Sequence, residues 1–209
     1  KEGSIIVTAH GLSQIKKDEI KALGLDIIDT TCNEVKLIDK IIREKINDNY
    51  SVVYFGISTH PECKAILEDN PKIYLIEKLD DINNLNIKND KIFFASQTTL
   101  SYNDVTNAYD LLLNKYPNIT KIVDVCTATK QRQLALLKYA KKCDMILVIG
   151  DKKSNNTKQL KDLASEYTTA FLIENIEDVK KIDFSNTNTL GITAGASTPN
   201  LLVEEIKNC

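Results

Sequence analysis

Short runs of β-branched and aromatic residues alternate along this chain with stretches whose apolar positions recur at helical spacing. The runs Ile5–Ala9, Asp26–Asp29, Val52–Phe55, Ile73–Ile76, Ile92–Ala95, Ile122–Val125, Met145–Ile149, Phe171–Ile173 and Leu190–Thr193 are strand-sized. Between them, Val35, Ile38, Ile41, Ile42 and Ile46 fall on one face of a helix that Asn33 is placed to cap. Ser101 with Asp104 forms a capping-box pattern ahead of Val105, Ala108 and Leu112. Thr198-Pro199 reads as an N-cap followed by proline at the first helical position. Strand–helix–strand alternation predicts parallel sheets with helices on both faces. The fold class is α/β.

The pattern also repeats. Tyr74-Leu-Ile-Glu-Lys-Leu-Asp-Asp-Ile82 returns as Phe171-Leu-Ile-Glu-Asn-Ile-Glu-Asp-Val179, 97 residues later. Asp29-Thr-Thr-Cys32 and Asp124-Val-Cys126 each precede a helix, with the cysteines 94 apart, and Tyr54-Phe-Gly56 matches Val148-Ile-Gly150 at the same offset. Ser96-Gln-Thr-Thr99 and Ala194-Gly-Ala-Ser197 each end a strand before a capped helix. These matches predict two copies of one βαβαβαβα unit, residues 33–122 and 123–209. Residues 1–32 read as the tail of a truncated first copy, because Thr8-Ala-His-Gly11 ends a strand before a helix as Gln97-Thr98 does. The other reading of that segment is an N-terminal extension of the first sheet.

Composition narrows the function classes. A hydrophobic share of 43% is enough for packed cores and excludes a disordered chain. With 27 basic and 29 acidic residues the net charge is −2, so no basic excess is available to bind nucleic acid. No apolar run approaches the ~20 residues of a membrane span, and no signal-peptide pattern opens the chain, which begins at Lys1. The expectation is a soluble cytoplasmic protein.

In parallel α/β sheets, ligands bind beyond the carboxyl ends of the strands, where loops meet helix N-termini. The polar residues of interest cluster there. Cys32 and Cys126, among five cysteines with no CxxC pair, sit next to helix starts that favour a thiolate. Two thiols alone satisfy neither zinc nor an iron–sulfur cluster. Glu62, two residues beyond His60, is a candidate proton donor, although glutamate at a helix start is also an ordinary dipole-favoured choice. Ser154, Asn156 and Ser197 offer neutral donors at helix starts, suited to a phosphate or diphosphate, and equally to plain capping. No GxGxxG, Walker A or GxSxG pattern is present, so nucleotide binding and serine hydrolysis are unsupported.

Seven ordered motifs carry a resemblance: Thr8-Ala-His-Gly-Leu-Ser-Gln14, Thr31-Cys32, His60-Pro-Glu62, Ser96-Gln-Thr-Thr-Leu-Ser101, Cys126-Thr-Ala-Thr-Lys-Gln-Arg-Gln133, Ser154-Asn-Asn156 and Thr193-Ala-Gly-Ala-Ser-Thr-Pro199. The chain resembles the 4-hydroxy-3-methylbut-2-enyl diphosphate reductase (LytB/IspH) family, over about the C-terminal two thirds of the family's domain. The resemblance implies a trefoil of three α/β units, here with the first truncated. It implies the last step of the non-mevalonate isoprenoid pathway, in which an allylic diphosphate loses its hydroxyl with two electrons and two protons. By motif, Cys32 and Cys126 are two of three ligands of a 4Fe-4S cluster. Glu62 supplies protons with help from Thr98. The substrate is held by His10, His60, Thr98, Ser154, Asn155, Asn156 and Ser197. The implied partners are the small allylic diphosphate and an electron donor such as ferredoxin or flavodoxin, with no nucleic acid and no membrane.

The departures are specific. The family's Gly-Phe-Cys motif with the third cysteine, and one further histidine, have no counterpart in these residues. Asn33 stands where the family commonly has proline, Asn155 replaces a common serine, and Asp151 replaces another. The expectation is therefore a segment that lacks an intact cluster and is inactive alone. The competing readings are a non-catalytic diphosphate- or partner-binding module of the same fold, and stacked α/β units with inert cysteines.

Overall fold

A computed structural model of the chain describes residues 2–121 and 126–209. Every strand pairing in it is parallel. In chain order β1 (Ser4–Val7), α1 (Gln14–Ala22), β2 (Asp26–Asp29) and α2 (Asn33–Asn47) are followed by β3 (Ser51–Phe55), α3 (Pro61–Asp69), β4 (Tyr74–Ile76) and α4 (Asp81–Asn84). Then come β5 (Ile92–Ser96), α5 (Tyr102–Lys115), β6 (Thr120–Lys121), α6 (Thr127–Ala140), β7 (Met145–Ile149) and α7 (Asn155–Ser165). The last elements are β8 (Thr169–Ile173), α8 (Ile176–Val179), β9 (Leu190–Ala194) and α9 (Asn200–Lys207). The strands form sheets of order β1-β2, β4-β3-β5-β6 and β8-β7-β9. The chain divides into two compact units, Lys1–Thr98 with Asn103–Asp124, and Thr99–Tyr102 with Val125–Cys209. The expected strand Ile122–Val125, including Asp124 of the repeat, lies outside the described residues, and so does the expected boundary between 122 and 123.

In the first unit β3 and β5 are central and buried on both faces, which is why they read as continuous apolar runs. Val52, Tyr54, Phe93 and Ala95 turn one way and pack with Ile38 and Ile42 of α2 and Cys63 and Ile66 of α3. In the second unit Ile146 and Val148 pack against Leu136 of α6 and Leu160 of α7, while Met145, Leu147 and Ile149 face Val179 and Ile206. Each fully buried aliphatic side chain contributes roughly 1.5–3 kcal/mol.

The repeat is visible in the register. β3 pairs Ser51 with Ile92 and β7 pairs Met145 with Leu190, so the central strands match at an offset of 94 and the next strands at 98. Helices α3 and α7 start 94 residues apart, as do α2 and α6.

Local chemistry moves some expected boundaries. β1 stops at Val7 rather than Ala9, because Gly11 N–H bonds back to the Thr8 carbonyl in a turn that needs Gly11 at φ 81°. Cys32, not Asn33, is the N-cap of α2, and Asn33 is its first helical residue. Pro199 is the N-cap of α9, because the Thr198 hydroxyl donates instead to the Ile149 carbonyl at 3.0 Å.

Candidate functional site

In the first unit the candidates converge at the carboxyl ends of the strands. His60 caps α3, and its Nδ1 accepts from the Glu62 amide at 3.3 Å. Pro61 at the first helical position has no N–H to satisfy, so this histidine–proline start suits the helix. The helix turns Glu62 inward, where it is 1% exposed. Thr98, just past β5, donates twice to that carboxyl: its amide to Oε1 at 2.9 Å and its hydroxyl to Oε2 at 2.7 Å. The Tyr54 hydroxyl donates to Oε1 at 3.4 Å. Burial raises the Glu62 pKa to about 7, against the pull of the Thr98 and Tyr54 hydrogen bonds. A carboxyl poised near neutrality is one that can hold and release a proton at working pH.

His10 lies in the loop after β1, its ring edge-on to His60 with centroids 4.8 Å apart. Burial, then the neighbouring His10, lower the His60 pKa to about 4, so His60 is neutral near pH 7. His10, His60 and Glu62 each place a ligand-type atom within 4.8 Å of the others. The His60 Nδ1 is already an acceptor and both Glu62 oxygens accept hydrogen bonds. These acceptors of the cluster are thus already engaged by hydrogen bonds within the first unit. A small cavity lined by His10, Gly11, Thr31 and Glu62 opens beside it. Cys32 joins the same strand end, its amide bonded to the Ala9 carbonyl at 3.0 Å and its side chain exposed at the start of α2.

The second unit gathers a different set of polar groups. Ser154 caps α7 by accepting from the Thr157 amide at 3.4 Å. Asn155 donates to the carbonyl and hydroxyl of Thr99 at 2.9 and 3.1 Å, so its amide is already engaged. Asn156 is 5% exposed, yet among the described residues neither its Nδ2 nor its Oδ1 has a hydrogen-bond partner, and the same holds for the buried Thr157 Oγ1. Unpaired buried polar atoms are rare and mark places where a ligand or water completes the set. Gly195, in the loop that carries Ser197, packs directly on Thr157, and a Cβ there would overlap Oγ1. Ser197 is exposed in that loop. Asp151 is turned into a local bond from the Lys153 amide at 2.7 Å. Cys126 is the half-buried N-cap of α6.

The structure thus brings together His10, Cys32, His60, Glu62 and Thr98 in one unit. In the other it gathers Ser154, Asn155, Asn156 and the Ser197 loop, with Cys126 at the head of α6. Two contributors were missed by pattern reading. Tyr54 looks in sequence like one more aromatic in a strand. Gln133, 2% exposed, accepts from the Tyr102 amide at 2.8 Å and donates to the Leu100 carbonyl at 3.1 Å, pinning the segment after Thr98.

With that geometry in view, the family comparison is decisive: residues 1–209 match the LytB protein family throughout. The chain belongs to the LytB family. This LytB-family chain is 35% identical over 208 residues to a 4-hydroxy-3-methylbut-2-enyl diphosphate reductase of Halalkalibacterium halodurans, covering 98% of the chain and 66% of that protein. It is 36% identical over 208 residues to the reductase of Bacillus subtilis, with the same coverage. Among solved structures it is similar to the E-1-hydroxy-2-methyl-but-2-enyl-4-diphosphate reductase from Plasmodium falciparum. That match has a TM-score of 0.94 and 31% identity, over 99% of this chain and 66% of the other. This LytB-family chain therefore spans about two thirds of the length of the relatives it matches. Among the described residues no helix is long and apolar enough to cross a membrane.

Proposed function

We propose that the whole protein is a 4-hydroxy-3-methylbut-2-enyl diphosphate reductase, and that this chain carries residues that hold the diphosphate and supply protons. The observation that carries the reading is the buried, unpartnered amide of Asn156 at the start of a helix, beside the loop that bears Ser197. Such an amide costs about 1–3 kcal/mol while unsatisfied, and an anionic oxygen at a helix N-terminus can accept from its Nδ2 donor. In the second unit Ser154, Asn156 and Ser197 are the residues assigned to the diphosphate, and in the first unit His10 and His60 are assigned as anion donors. Neutral His60, with Nδ1 accepting, presents its Nε2–H as a donor without adding charge.

Glu62 is assigned the proton. Its carboxyl exchanges one near neutral pH, and Thr98, bonded to both oxygens, orients it and can pass a proton outward through its hydroxyl. Delivery of two electrons by a ferredoxin or flavodoxin belongs to the same proposal. The donor set does not by itself make a four-iron site. Cys32 and Cys126 are both helix N-caps, which suits a thiolate, but two thiols in two units are fewer than such a cluster takes. No step is assigned to a cluster on these residues.

Titration calorimetry with pyrophosphate tests the reading on this chain. Weak binding is expected, and Asn156→Ala with Ser197→Ala should nearly abolish it, since each hydrogen bond to a charged group is worth about 1.5–3 kcal/mol. Equal binding by the double variant overturns the assignment.

A further inference from the structure

The register puts Tyr54 and Val148 in the same place. Each is the fourth residue of the central strand, on the face that packs against the following helix, and each is fully buried. Eight residues further on in both cases stands a buried polar side chain, Glu62 in one unit and Asn156 in the other. At that strand position the second unit carries Val148, which has no polar group, and the Asn156 amide is left without a partner among the described residues. The first unit carries a tyrosine there, its hydroxyl 3.4 Å from Glu62 Oε1. The tyrosine needs room that the chain specifically provides: its ring lies against Gly56, where a Cβ would come 2.7 Å from Cε1.

We propose that Tyr54 is a positioning residue for Glu62: its hydroxyl, sealed in the core, completes a three-donor cradle with Thr98 that holds the carboxyl in one orientation. This rests on the reading of Glu62 as the proton donor. The two Thr98 bonds fix one edge of the carboxyl, reaching both oxygens from the same residue. Tyr54 reaches Oε1 from β3 and Thr98 reaches both oxygens from the end of β5, so rotation of the carboxyl about its Cγ–Cδ bond breaks contacts to two chain segments. A reason for such a device is that a proton donor must present one oxygen to its acceptor, and a free carboxyl rotor presents either. The titratable groups around the pair are His60, the N-cap of α3, Cys63 of α3, His10 after β1, Asp39 of α2 and Glu77 after β4. Burial pushes the Cys63 thiol up to about 12, so it is neutral and does not compete for the cradle.

The test is a carbon-13 NMR titration of Glu62 in this 209-residue chain and in Tyr54→Phe, which keeps the ring and removes only the hydroxyl. Losing a donor to the charged form should move the Glu62 midpoint up by roughly half a pH unit or more, and broaden its carboxyl signal. Site-specific 3-fluorotyrosine at position 54 keeps the fold if Tyr54→Phe does not, and its more acidic hydroxyl should move the midpoint down. A Glu62 titration that moves in neither protein overturns the proposal and leaves Tyr54 as core packing. The readout is on Glu62 itself, so a failed pyrophosphate titration with a shifting Glu62 would sink only the diphosphate reading.

Discussion

Glu62 and Asn156 stand at matching positions, each two residues beyond the N-cap of the helix that follows a central strand, and each is buried. Glu62 accepts three hydrogen bonds, whereas both polar atoms of the Asn156 amide have none. The same scaffold position is thus self-satisfied in one unit and left open in the other. On the proposed reading, that difference separates the group assigned the proton from the group assigned to the ligand.

Replacing Asn156 by leucine is expected to divide stability from binding. A buried amide without partners is destabilising, and a side chain of similar volume removes that penalty of about 1–3 kcal/mol. Thermal unfolding of Asn156→Leu should come at the wild-type temperature or higher, while pyrophosphate affinity falls. Lower stability together with unchanged binding would place the phosphate site elsewhere.

Glu62 makes stability fall as pH rises. Its folded pKa, about 7, lies above its ordinary 4.5, so the folded state favours the protonated form. That contribution is fully present below pH 4.5 and is lost as pH rises through 7. The full swing is on the order of 3 kcal/mol. Urea unfolding of Glu62→Gln at intervals across this window should lose stability relative to wild type as pH falls, because the amide gains no proton and the opposing His60 contribution is left alone.

His60 acts in the opposite direction. Its folded pKa, about 4, lies below its ordinary 6.5, so folding favours the neutral ring. Its contribution is present above pH 6.5 and is lost as pH falls toward 4. His60→Asn keeps an N-cap acceptor and removes the titration. This variant should gain relative stability on acidification, where wild type holds roughly level because the two groups offset. Parallel pH profiles for the two proteins would show that His60 is not kept neutral by its setting.

Asp69 joins α1 to α3. It accepts from the Gln14 and Ile15 amides at 2.7 and 3.2 Å and from Arg43 Nη2 at 2.6 Å, with its side chain only 4% exposed. Asp69→Ala leaves two helix-start amides and a guanidinium without that acceptor, and should cost about 3 kcal/mol in chemical unfolding. Asp69→Asn keeps an oxygen acceptor for the amides and should lose less. Equal losses would mean that the charge on Asp69 carries the whole effect.

Much of the fold was legible because local rules and tertiary demands agree. Met145–Ile149 and Asp26–Asp29 are strands with the expected ends, and Met145–Ile149, buried on both faces, must read as an apolar run. The repeat was legible because matched registers need matched spacing. Capping was less so. Cys32 serves as an N-cap without a side-chain bond, and Thr198 prefers the Ile149 carbonyl, contacts that only the folded neighbours supply. The site was legible as a set of residue types at strand ends, but not in its division of labour. Nothing in the string Asn155-Asn156 tells which amide is tied to Thr99 and which is left without a partner.

By itself the sequence determined the alternation of elements, the two-fold spacing of its units, and the presence of His10, Cys32, His60, Glu62, Thr98, Cys126, Ser154 and Asn156 where strands give way to helices. Periodicity and turn chemistry act over a few residues, so a linear string carries them. Tertiary structure alone decided that Glu62 is buried against Thr98 and Tyr54, that His60 is held neutral beside His10, and that Asn156 is buried without a partner among the described residues. Desolvation and hydrogen-bond satisfaction depend on atoms 36 to 56 positions away along the chain, such as Thr98 for Glu62 and Thr99 for Asn155. Those distances close only when the sheets assemble.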